Sequence, residues 1–238
     1  MTTPDWLERT SLLMGPDKME RFRRAHVLVV GTGGVGAYAA EMLVRAGIGR
    51  LTLLDADRVQ PSNINRQLCA LHSTVGEEKV RVLGLRFKDI NPELDLTVRA
   101  EFLEEHSAGV LLDSAKFDFI VDAIDTIAPK CALIEEAMKR RIRIVSSMGA
   151  GAKTDITQIR FADLWETFHC GLSKAVRTRL KRDGMRRPLP VGFCAQQADP
   201  AALVQVEGER NKKTTTGTVS YMPAVFGCYL AQYVISRL

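Results

Sequence analysis

At 238 residues, 46% hydrophobic and 26% charged, the chain has the composition of an ordinary globular protein and enough length to bury a large core without covalent staples. No apolar run reaches the roughly 18–20 residues of a membrane span, and charges stand where a signal peptide needs its apolar core, so the expected location is the cytoplasm. Cysteines at 69, 131, 170, 194 and 228 include no C-x-x-C pair, which argues against a disulfide framework and a four-cysteine zinc clamp; the net charge of +5 permits a nucleic-acid partner without requiring one.

Residues 5–24 read as two short helices broken at Gly15-Pro16, an arm in which Arg9 stands beside Trp6, Leu7, Leu12 and Leu13. The strand-like run Val27-Leu28-Val29-Val30 then feeds the glycine run G-T-G-G-V-G at 31–36. A helical pattern follows over 37–46, and a second strand over 51–54 ends at Asp55. Strand, glycine turn, helix, strand and acidic residue in that order form a nucleotide-binding βαβ unit. Gly31 allows the tight turn, Gly33 lets backbone approach a phosphate, and Gly36 lets the helix sit close on the strand. Gly34 stands beside them, and the helix N-terminus offers unpaired N–H groups to an anion. Asp55, 19 residues past Gly36, stands where a carboxylate meets ribose hydroxyls.

The stretch 58–76 is a polar loop, of the kind that meets ligands at the carboxyl end of a parallel sheet. A helix is expected over 79–90, stopped by Asn91-Pro92, and a strand over 94–98. A short helix near 107–114, a strand over 117–121 ending in D-A-I-D at 122–125, a helix over 129–141 and a strand over 142–146 follow. This alternation predicts an α/β, Rossmann-like, doubly wound and mostly parallel sheet over 25–150. The arm 1–24 precedes it, and a C-terminal extension of mixed edge strands and helices, 151–238, completes a single domain. Within the extension, 157–161 reads as an edge strand and 169–187 as a strongly basic helix. Residues 188–218 read as irregular, and 223–237 as a helix whose apolar content suggests burial against the sheet or a second subunit.

Four features at strand ends converge on one face: the glycine turn, Asp55-Ala56-Asp57, the loop Asn63–Gln67 and the carboxylates Asp122 and Asp125. Asn63, Asn65, Arg66 and Lys79 form a donor-rich cationic set that suits a triphosphate better than a nicotinamide ring. Asp125 could hold Mg²⁺ against the phosphates. There is no G-x-x-x-x-G-K-[ST], hence no P-loop.

G-T-G-G-V-G, L-L-D-A-D, N-I-N-R-Q, the following lysine and D-A-I-D, in this order and spacing, resemble the adenylating superfamily of ubiquitin-activating-type enzymes over about residues 5–150. The resemblance implies an enzyme that uses ATP to convert a carboxylate into an acyl-adenylate. It implies that Gly31, Gly33, Gly34 and Gly36 line the nucleotide and that Asp55, with Asp57 near it, holds the ribose. Asn63, Arg66 and Lys79 would contact the phosphates, Gln67 would shape the loop, and Asp125 would bind Mg²⁺. Members are homodimers in which an arginine of the N-terminal arm reaches the neighbouring subunit's phosphates; Arg9 matches that position loosely. Branches that activate sulfur-carrier proteins carry two C-x-x-C zinc pairs, absent here, so no zinc is expected. R-T-x-L-L-x-G from Arg9, I-N-P-E, D-A-I-D-T, G-A-G at 149–151 and T-Q-I instead resemble the branch acting on threonylcarbamoyladenosine at position 37 of tRNA. There the activated acyl group closes into a ring, and a sulfur-relay protein is a further possible partner.

Three function classes follow from this reading: the tRNA-directed adenylating enzyme, adenylation of a carrier protein's C-terminal glycine, and a dinucleotide oxidoreductase or non-catalytic nucleotide-binding module. Lys174, Arg177, Arg179, Lys181 and Arg182 in the basic stretch are the candidates for tRNA backbone contact, without the interleaved aromatics that stack bases. Cys194 could serve as a nucleophile, although a lone cysteine without a paired histidine is more often inert.

Overall fold

The computed structural model describes residues 4–205 and 214–238. Helix α1 (Glu8–Met14) ends at Gly15, whose φ of 79° lets the chain turn, and Pro16 opens α2 (Pro16–Arg24) at the position where its missing N–H costs nothing. β1 (His26–Val30), α3 (Gly36–Arg45), β2 (Arg50–Leu54), α4 (Lys79–Ile90), β3 (Asp95–Arg99), α5 (Ala108–Asp113), β4 (Phe119–Asp122), α6 (Ile127–Lys139) and β5 (Arg143–Ser147) then alternate as the sequence predicts. The extension contributes β6 (Ile159–Asp163), α7 (Gly171–Arg182), β7 (Pro190–Cys194), a short antiparallel pair β8 (Leu203–Gln205) and β9 (Thr214–Thr216), and α8 (Tyr221–Arg237).

The described residues build a seven-stranded sheet of order β3-β2-β1-β4-β5-β7-β6. It is parallel except for β6, which pairs antiparallel to β7 at the edge, with Phe161 opposite Gly192. Every residue of β1 and of β4 is buried, as central parallel strands covered on both faces require. Alternate residues of β1 serve opposite layers. Val27 and Val29 pack with α3, α4 and α8 through Leu43, Leu83 and Leu230. Leu28 and Val30 pack with α5, α6 and α7 through Leu111, Ile134 and Val176. The strand order reverses between β1 and β4, and the crevice outside their carboxyl ends is the ligand position of such a sheet.

One expectation is corrected. The segment read as irregular contains β7, a strand inside the sheet with Val191, Phe193 and Cys194 buried. Pro190 and Gly192 disguise it. The proline sits at the strand's first residue, where a proline is tolerated. The glycine passes under α8, where an added Cβ would come within 3.2 Å of the Leu230 side chain. Residues 206–213 of that segment lie outside the described residues. The apolar face of α8 (Met222, Phe226, Leu230 and Val234) packs inside the chain against the sheet, the first of the two places expected for it. Gly227 lets α8 cross α3 backbone to backbone, since a Cβ there would overlap the Val35 carbonyl.

Candidate nucleotide-binding site

The glycine turn leaves β1 directly into α3. Gly31 has φ of 86°, and a Cβ on it would lie 2.7 Å from the Ala123 carbonyl oxygen, so the turn after β1 and the loop after β4 touch. A Cβ on Gly36 would overlap the Gly31 carbonyl oxygen, which is how α3 comes to start against the turn it follows. Asp55, at the end of β2, clasps this turn. Its Oδ2 accepts from the Thr32 backbone N–H at 2.6 Å and from the Thr32 hydroxyl at 3.0 Å, and its Oδ1 accepts from the Asp57 N–H at 2.8 Å.

The polar loop folds over the turn through a 3-10 turn at Pro61–Asn63, where Asn63 Oδ1 accepts from the Gln60 N–H at 3.0 Å. Arg66 Nη1 donates to the Ser62 carbonyl at 2.8 Å and to Asn65 Oδ1 at 2.9 Å; Asn65 Nδ2 donates to the Thr218 carbonyl at 3.0 Å. Gln67 lies over Gly33, its Nε2 3.7 Å from where a Cβ would be, and its Oε1 is buried without a partner among the described residues. Lys79, the first residue of α4, is buried but sends Nζ to the exposed Asp57 Oδ2 at 2.7 Å.

Gly31, Gly33, Gly34, Gly36, Asp55, Asp57, Asn63, Arg66, Gln67 and Lys79 therefore meet at one edge of the sheet. Asp125 is exposed on the loop that touches Gly31. Arg9 is not part of this cluster. Leu7 of the same arm packs on Gly47, beyond the far end of α3 from Gly36, and a ten-residue helix is about 15 Å long.

The structure separates the two carboxylates of D-A-I-D. Asp122 is wholly buried and pairs with the equally buried Lys130, Nζ to Oδ2 2.8 Å. Ser146 Oγ donates to the same carboxylate at 2.6 Å, the Ile124 N–H donates to its Oδ1 at 3.1 Å, and Lys130 Nζ also reaches the Ile124 carbonyl at 2.9 Å. This buried ion pair holds the loop that presents Asp125. The sequence signal for it was a lysine early in a helix whose neighbours Pro129 and Cys131 are buried.

The basic helix is also sorted. Arg177 turns inward and donates to the carbonyls of Leu164 and Thr167 and to the Thr167 hydroxyl. Arg179 is held between Glu105 at 2.7 Å and Asp183, and these carboxylates push its pKa above the usual arginine value. Arg177 is thereby taken up inside the chain, while Arg179 stays part-exposed at the shallow cavity that Lys174 and Arg182 border. Lys174, Lys181 and Arg182 are exposed, and Lys174 and Arg182 border a shallow cavity of about 380 Å³. Cys194 is fully buried, with Sγ aimed at the Asp155 carbonyl at 3.6 Å, a packed position that speaks against the nucleophile reading. Burial pushes the Cys131 thiol up to about 12.

A switch-point glycine turn clasped by a carboxylate, under a loop of amides and a guanidinium, defines a Rossmann-like nucleotide-binding protein. The ThiF family model matches residues 7–238, and the chain belongs to that family. It is 36% identical over 241 residues to a tRNA threonylcarbamoyladenosine dehydratase of Bacillus subtilis, covering 97% of this chain and 93% of that one. The Escherichia coli protein of the same name is 41% identical over 181 residues, covering 75% of this chain and 67% of its own. A crystal structure of E. coli tRNA N6-threonylcarbamoyladenosine dehydratase in complex with ATP matches with a TM-score of 0.89 at 32% identity, covering 100% of this chain and 96% of that one.

Proposed function

We propose that this chain is an ATP-dependent enzyme that adenylates the carboxylate of threonylcarbamoyladenosine at position 37 of tRNA and lets it cyclise with loss of water. The observation that carries the reading is the Asn63–Lys79 loop set against the glycine turn, in a chain similar over nearly its whole length to dehydratases of that substrate. The site fits ATP on its own terms. Gly33 leaves room over the turn, where an added Cβ would meet nothing nearer than Gln67 Nε2 at 3.7 Å, and Gln67 Oε1 is a buried acceptor without a donor among the described residues. Arg66 and Lys79 supply positive charge for phosphates, and Asn63, whose Oδ1 accepts from the Gln60 N–H, keeps an amide donor beside them. Asp125 fits Mg²⁺, which takes one or two carboxylates and completes its shell with phosphate oxygens and water. When bound, the ion would neutralise the phosphate charge.

A carboxylate is a poor electrophile because its leaving group would be oxide. Its attack on the α-phosphorus releases pyrophosphate and makes AMP the leaving group. A nitrogen of the same substrate arm then attacks the acyl carbon, loses its proton and expels AMP. Holding the arm and stabilising charge suffices for this step. No protein nucleophile is needed, which agrees with the burial of Cys194. Arg9 acts from a second copy in this reading: α1 carries it beside Leu12 and Leu13, 81% and 80% exposed, a surface suited to pairing in a homodimer.

The test is ATP–pyrophosphate exchange with tRNA bearing threonylcarbamoyladenosine, set beside a carrier protein with a C-terminal glycine. Exchange is expected with the tRNA; exchange only with the carrier would overturn the reading. The exposed cations of α7 are assigned to the tRNA backbone. The triple variant Lys174→Glu/Lys181→Glu/Arg182→Glu should weaken tRNA binding and flatten its salt dependence by about one unit of log–log slope per lost contact. Unchanged affinity and slope would remove that surface from the model.

A further inference from the structure

The loop that leads into α7 carries an exposed aromatic ring that no motif accounts for. Phe168 is 42% exposed and stands three residues before Gly171, where α7 begins. The guanidinium of the exposed Arg160 lies 5.2 Å from its ring centroid. The rings of Phe193 at 5.5 Å and His169 at 5.0 Å meet it at 77° and 86°, so among the described residues no ring is stacked face to face on it. Arg160 and Phe193 are partners across β6 and β7, and the same guanidinium is 5.3 Å from the Phe193 centroid.

The backbone that presents this ring is held in place. His169 has φ of 51°, and a non-glycine residue stays in the left-handed region where its surroundings hold it, commonly at ligand sites. Here its Nδ1 donates to the Ala195 carbonyl at 3.0 Å, and the buried Lys153 donates through Nζ to the His169 carbonyl at 3.2 Å and to that of Cys194. Cys170 packs against Gly149, just past the end of β5, where an added Cβ would lie 3.5 Å from its Sγ. The loop therefore stands at the carboxyl end of the sheet, on the side of the nucleotide crevice. From β4, which leads to Asp125, to β6 is three strand spacings, about 14 Å.

Past Gly171 the shallow cavity of about 380 Å³ runs along α7, lined by Lys174, Thr178 and Arg182 among others. Cations that can follow a phosphate backbone, with an aromatic ring beside them, make up a site for unpaired nucleotides: the charges take phosphates and the ring takes the face of a base. The aromatic that the basic stretch lacks is supplied by the loop before it. We propose that Phe168, with Arg160 against it, stacks an unpaired base of the tRNA near the modified position while α7 takes neighbouring phosphates. The proposal rests on the tRNA-directed reading above. It concerns RNA binding and gives neither residue a part in adenylation.

The experiment measures binding of tRNA, of single-stranded poly(A) and of heparin, a polyanion without bases, by wild type, Phe168→Ala and Phe168→Trp. Phe168→Ala is expected to bind tRNA and poly(A) about tenfold more weakly, the scale of one lost base stack. Its log–log salt slope and its heparin affinity should not move, because a stacked ring releases no counterions. Phe168→Trp should bind at least as tightly as wild type, and its added indole emission should be quenched by poly(A) and not by heparin. Unchanged RNA affinity in Phe168→Ala, equal losses for poly(A) and heparin, a shallower salt slope, or no quenching by poly(A) would overturn the assignment. Quenching by poly(A) in a protein that shows no pyrophosphate exchange with modified tRNA would instead sink the functional reading and leave the stacking site standing.

Discussion

Lys130→Met loses about 3–5 kcal/mol of folding stability, because it leaves Asp122 as an uncompensated buried charge. Both side chains are 0% exposed at a separation of 2.8 Å, so no water takes the place of the lost ammonium. Ser146 and the Ile124 N–H still donate to the carboxylate, but two neutral donors do not replace a cation. The double variant Asp122→Asn/Lys130→Met removes the charge as well as its partner, and most of the loss is recovered. Urea denaturation of the wild type, the single and the double variant measures this directly. A single variant as stable as the double would show that the pair does not carry the cost assigned to it. The effect extends to the site, since Lys130 also holds the Ile124 carbonyl one residue before Asp125. Even where Lys130→Met remains folded, its ATP-induced thermal shift should be smaller than that of wild type.

The same pair illustrates what the sequence leaves open. D-A-I-D offers two carboxylates at the end of one strand, and nothing in the string says which is internal. The decision belongs to the neighbouring strand: Asp122 is in register with Ser146 of β5 and takes its hydroxyl. The first five strands were legible because each carries its own apolar run and the helices between them are amphipathic. β7 was not, because Pro190 and Gly192 are turn residues in a propensity reading and become strand residues only once β5, β6 and α8 surround them. Arg177 could have been placed. Ser173, Val176 and Leu180 form the buried stripe of α7, and Arg177, four residues from Ser173, borders it. Counting charges along the helix hid what the period showed. The buried Lys153, past the end of β5, carried no such signal, since its ammonium is held by the carbonyls of His169 and Cys194, 16 and 41 positions away.

Arg66→Ala and Asp125→Ala should each reduce tRNA-dependent pyrophosphate exchange by about a hundredfold or more, the scale on which single donors to developing charge are felt in enzymes. Neither should unfold the protein. Arg66 is partly exposed and bonds locally, to Ser62 and Asn65, so its loss changes stability by about 1 kcal/mol at most. Asp125 is exposed, and Asp122 and Lys130 hold the loop around it. The two variants should differ in their response to metal. If Asp125 binds Mg²⁺ through ATP, the Mg²⁺ concentration giving half-maximal exchange rises in Asp125→Ala. In Arg66→Ala it stays where it was, because the guanidinium addresses the phosphates without the ion. Full activity in either variant would remove that residue from the site, and an identical Mg²⁺ dependence in both would return the metal to phosphates alone. The contrast would separate the two halves of the crevice, the loop after β2 proposed to meet the triphosphate as a cation and the loop after β4 proposed to meet it through a metal.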